Sequence, residues 1–273
     1  MGQRRIGRRR LDSLLQRNYD SNDEWGFVRP PMVAGLQRNL KVAAMGQMHA
    51  GGVIDLLPVA DNATTGIWLF DDANSGAVAA VNSDADFTDG AITLTTGGSA
   101  GNQTAIGLDA APLSCASSKQ WWVEASIKIG DHDDAEFFVG VTENAITTDS
   151  IHVEAAAGGT DRAGFVKKAH NADAIEYAVT KNADGTVASA FPTALTYATD
   201  SDVLNVGIHW DGSSIKFYHA QAASGTEPGA MTLVKTVNSN IPDDSSLRPI
   251  IFAEATGGAM TVTVNYLRAA WEV

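Results

Sequence analysis

From Ile67 to the C-terminus, short apolar stretches alternate with turn residues, and within the stretches the apolar positions recur every second residue. Trp121, Val123, Ala125, Ile127 and Ile129 are interleaved with Trp122, Glu124, Ser126 and Lys128. A period of two sends the first set to one face of a strand and the second to the other, which predicts a half-buried strand. Phe137, Val139 and Val141 repeat the pattern beyond an acidic turn at 131–134. Further strands are predicted over 67–70, 91–95, 151–155, 164–168, 174–180, 204–210, 214–219, 231–237, 248–253 and 260–267. Asp211-Gly212 marks a tight hairpin between two of them. No sustained helical period interrupts the series, so residues 65–273 are expected to form one all-β domain, an antiparallel sandwich or barrel.

The N-terminal part breaks this pattern. Residues 1–41 read as a basic arm in which Arg4, Arg5, Arg8, Arg9, Arg10 and Arg17 stand among Ile6, Leu11, Leu14 and Leu15. Those four apolar residues fit one stripe of a three-turn helix, but so short and charged a helix is marginal in water by itself. The arm is therefore expected to be extended or partly helical and to need a partner surface. Trp25 and Phe27 precede Pro30-Pro31, which forces an extended segment. Trp25 is either a docking anchor or an aromatic folded back onto the domain. Residues 42–64 carry no convincing period and are expected to be an irregular connector.

Charge sharpens the division. The net charge of −13 is split, with nine Arg/Lys against four Asp/Glu in residues 1–41, a net of +5 that leaves −18 on the remainder. An acidic body repels the phosphates of nucleic acid and membranes, while the basic arm implies a second surface with a different partner. No apolar run approaches the roughly 20 residues of a membrane-spanning helix. Arginines interrupt the N-terminus where a secretory signal would be apolar, and Ile6 stands where a myristoylation signal wants Ser or Thr. A soluble, unlipidated chain is expected. Cys115 is the only cysteine, so no intrachain disulfide can form, and its expected role is a small buried hydrophobe.

Five segments carry a resemblance to a known family: QWWVEASIKIGD, AEFFVGVTEN, DRAGFVKKAHNADAIEYAVTKNADGT, LNVGIHWDGSSIKFYHA and LRPIIFAEATGGAMTVTVNYLRAAWEV. Their order resembles the concanavalin A-like (jelly-roll lectin/glucanase) sandwich over roughly the last three quarters of the chain. With the basic arm included, the chain is similar to structural proteins of tailed-phage virions. The resemblance implies an all-β, two-sheet antiparallel jelly roll. Because that fold hosts lectins, glucanases and inert shell parts alike, function has to be argued from sites.

Glucanases of this family carry a Glu-x-Asp-x-x-Glu strand that supplies acid and nucleophile on one face. No segment here fits it: Glu124 is followed two positions on by Ser126, Glu154 and Glu176 by alanines, and Glu143 by Ala145. Lectins of the family hold calcium through a strand Glu-x-Asp and an acidic loop, and Glu124-Ala-Ser126 lacks the second carboxylate. The remaining metal candidates are the turn from Asp131 to Glu136 and the loop with Asp84, Asp86 and Asp89, both expected to be solvated turns. The six histidines show no paired metal spacing, and no nucleophile motif is present. No catalytic residue, metal or cofactor is therefore expected.

The expectation that follows is a non-enzymatic virion protein, a capsid decoration or cement protein fixed by its arm. The anchor residues would be Arg4, Arg5, Arg8, Arg9, Arg10, Leu11, Leu14, Leu15, Arg17 and Trp25. Its partners would be the major capsid protein or other virion proteins and further copies of itself, with neither membrane nor nucleic acid expected. Two alternatives are a tail, connector or fibre component and, from another class, a carbohydrate-binding module reading host glycans with Trp121, Trp122, Trp210 or Trp271. Strand alternation already assigns Trp210 and one of the Trp121/Trp122 pair to the core.

Overall fold

The computed structural model describes residues 40–45, 64–65, 68–71 and 77–81. From 91 to 272 it describes all but 109, 117, 134, 145–159, 169–172, 182–183, 198, 201 and 227. Sixteen strands and no helix occur among the described residues. They are β1 (Leu40–Met45), β2 (Thr64–Thr65), β3 (Trp68–Asp71), β4 (Ala77–Val81), β5 (Ala91–Thr95), β6 (Gln103–Leu108), β7 (Trp121–Ile129) and β8 (Ala135–Thr142). There follow β9 (Arg162–Lys167), β10 (Ala174–Lys181), β11 (Asp184–Thr196), β12 (Val203–Trp210), β13 (Ile215–Ala222), β14 (Thr232–Val237), β15 (Arg248–Ala255) and β16 (Thr261–Glu272).

The strands form two antiparallel eight-stranded sheets. Sheet A runs β14-β13-β12-β7-β16-β5-β4, and sheet B runs β11-β10-β9-β8-β15-β6-β3-β2. Strand β16 is long enough to pair β5 along Thr261–Val264 and β1 along Leu267–Glu272. Chain neighbours such as β7 and β8, or β15 and β16, lie in opposite sheets, and that alternation makes the two layers a jelly roll.

The core lies between the sheets and is built from the alternate residues that the sequence pattern marks. Trp121, Val123, Ala125, Ile127 and Ile129 meet Phe137, Val139 and Val141 across it. Phe165, Tyr177, Phe191 and Phe217 form an aromatic knot with centroids 5.3–6.0 Å apart. Each fully buried ring of this kind contributes about 1.5–3 kcal/mol by leaving water. Trp210 and the Cys115 thiol are also buried here, and burial pushes the thiol pKa up to about 12. Tyr197 closes one end of the sandwich: its hydroxyl donates to the Asp202 carbonyl at 2.6 Å and accepts from the Ile129 amide at 2.9 Å.

Three expectations need correction. Strands β7 and β8 are buried on both faces rather than half-buried. On sheet B a second apolar cluster, Ala105, Phe138, Val166, Ala178, Ile250 and Phe252, lies on the face turned away from the core. Next, residues 42–45 are not irregular: Leu40–Met45 is strand β1, so the expected boundary at residue 41 falls inside a strand. LKVAAM is short and Ala-rich, and its pairing with β16 rather than local propensity makes it a strand. Last, the pattern missed β2, β4, β6 and β11. The last of these contains Gly185 and Pro192, and as the outermost strand of sheet B it tolerates proline, which has no N–H to pair. The predicted strand at 151–155 lies outside the described residues.

Candidate functional site

Strand alternation turns Trp122, Glu124 and Ser126 of β7 away from the core, together with His209 of β12 and Tyr266, Arg268 and Ala270 of β16. All are nevertheless buried; Trp122 is 3% exposed and Arg268 2%. Trp122 stands in register between Ala270 and His209, and its ring stacks on the imidazole with centroids 4.7 Å apart and planes 11° apart. His209 Nε2 faces the Gln120 Oε1 acceptor at 3.2 Å, which assigns the ring proton to Nε2. Burial, aided by Lys216, lowers the His209 pKa to about 4, so the ring is neutral at neutral pH. One row further along, Arg268 is the register partner of Glu124 and its guanidinium lies 3.8 Å from the Tyr266 ring centroid. Burial pushes the Tyr266 hydroxyl up, reinforced by Glu124, and pulls the Arg268 guanidinium down.

The outer face of sheet B changes character along its strands. Its middle is the apolar cluster around Phe138, whose ring fills the space that a side chain at Gly164 would occupy. Its end, beside the acidic turn, carries Gln103, Glu254 and Glu136 in register on β6, β15 and β8. Gln103 Nε2 donates to Glu254 Oε2 at 2.9 Å, and Lys168 pairs with Glu176 at 2.8 Å nearby. The adjacency of Glu136 and Glu254 was invisible in the sequence because each strand carries only one of them. Two carboxylates side by side are the minimum that acid–base chemistry on a glycosidic bond requires.

The acidic turn is tethered rather than freely solvated. Lys167 is fully buried, and its Nζ donates to the carbonyls of His132 at 2.7 Å and Ala135 at 3.1 Å. His132 Nδ1 lies 2.7 Å from Asp200 Oδ1, and Nε2 lies 3.2 Å from Asp133 and 3.8 Å from Asp173. Burial pushes the Asp200 carboxyl up, but hydrogen bonds from the His132 backbone and ring outweigh it and hold the group low. Donor atoms of His132, Asp133 and Asp173 lie within 4.8 Å of one another, close enough to share a divalent cation. The sequence pointed at this turn but not at Asp173 and Asp200, which arrive from other loops.

The expected anchor residues Arg4, Arg5, Arg8, Arg9, Arg10, Leu11, Leu14, Leu15, Arg17 and Trp25 lie outside the described residues, as do Asp84, Asp86 and Asp89. Of the tryptophans offered as a glycan platform, Trp121 and Trp210 are in the core, Trp122 is buried against His209, and Trp271 is half-buried against the core. Among the described residues the exposed large hydrophobic is Leu233 on the outermost strand β14, not an aromatic.

No family model matches the chain, and no curated protein does. Solved structures do match. A protein of unknown function from Shewanella oneidensis MR-1 aligns with a TM-score of 0.56 at 11% identity, over 90% of this chain and 96% of that one. Winged bean acidic lectin, solved with methyl-α-D-galactose, aligns at 0.53 and 10% identity over 85% and 98% of the two chains. Peanut lectin, solved with a nine-residue peptide, aligns at 0.51 and 12% over 85% and 97%. The fold is therefore the lectin-type, concanavalin A-like jelly roll.

Proposed function

We propose that this chain is a non-enzymatic virion structural protein, a decoration or cement protein held to a capsid shell by its arginine-rich arm. One observation carries the reading: directly after the arm, Leu40–Met45 is hydrogen-bonded into sheet A along β16. An attachment made by residues 1–39 is thereby continuous with the backbone of the sandwich, as a load-carrying tether needs to be. The charge division, +5 on residues 1–41 against −18 on the rest, supports separate surfaces for shell and solvent. Guanidinium groups pair bidentately with carboxylates, and Leu11, Leu14 and Leu15 add apolar area at roughly 25 cal/mol per Å². The test is co-sedimentation with shells assembled from the accompanying major capsid protein. The full chain should pellet with the shells and a chain lacking residues 1–39 should not; equal binding by both would refute the arm as anchor.

A second reading, a carbohydrate-binding module, is favoured by the lectin-type fold and by the His132, Asp133 and Asp173 group. It competes poorly because Trp121, Trp122 and Trp210 offer no exposed stacking face. Glycan-array binding that needs calcium and is lost in Asp133→Asn would favour it over the shell role.

A further inference from the structure

We draw no further inference here: the strongest candidate, the side-chain cluster of His132, Asp133 and Asp173 where the acidic turn after β7 meets the loop between β9 and β10, belongs to the site already described, and no second feature among the described residues points to an ion there.

Discussion

Acid should weaken this fold through His209 in particular. The ring is 3% exposed and its pKa is lowered from 6.5 to about 4 by burial. The unfolded chain therefore takes up this proton first. The stability it safeguards is complete above about pH 6.5 and drains as pH falls towards 4. Between pH 8 and pH 5 the two pKa values give a loss of about 2 kcal/mol from this residue. Carboxylates add their own acid losses. Asp211, raised by burial but pulled well below the usual range by Lys216, Ser214 and Ser213, is one of them. A comparison with His209→Phe removes that background: phenylalanine keeps the stack on Trp122 and cannot titrate. Urea unfolding of both proteins at pH 8 and pH 5 measures the difference. The native chain should lose about 2 kcal/mol more than the variant over that interval. Equal losses would mean that His209 is solvated or charged in the folded state.

Gly140→Ala should destabilise by about 1–3 kcal/mol or more, since its Cβ would lie 2.3 Å from the Ala163 carbonyl oxygen, whereas Gly98→Ala, with nothing within 4 Å, should leave the melting temperature nearly unchanged. Phe165→Ala, which removes the ring packed between Phe191 and Phe217, should cost about 3–5 kcal/mol in chemical denaturation. Purified protein should not hydrolyse β-glucans in a reducing-sugar assay; turnover abolished by Glu136→Gln or Glu254→Gln would establish an enzyme on the outer face of sheet B.

The sandwich was legible where one strand face is apolar and the other polar, as in Trp121–Ile129, and where turns are marked, as at Asp211-Gly212. There the Asp211 carboxylate accepts from the Ser213 and Ser214 amides, and Gly212 takes φ 90°. Legibility failed for strands whose identity depends on a partner. Ala77–Val81 has little side chain to pattern, and Leu40–Met45 becomes a strand only beside β16. The site failed for a related reason. Glu136 with Glu254, and His132 with Asp173 and Asp200, are neighbours only through sheet register and loop convergence, which no spacing along the chain encodes. Alternation did separate Trp121 from Trp122, but it sent Trp122 to an outer face that is itself buried.

The central claim, that the sandwich is a structural part tethered by its arm, is tested most directly by imaging intact particles at side-chain detail. Many symmetry-related copies are expected on the outer surface of the shell, with Arg4 to Arg17 lying against the major capsid protein and the sandwich standing clear of it. A chain absent from particles, or one seated on the shell through its sheets with residues 1–39 making no contact, would contradict it.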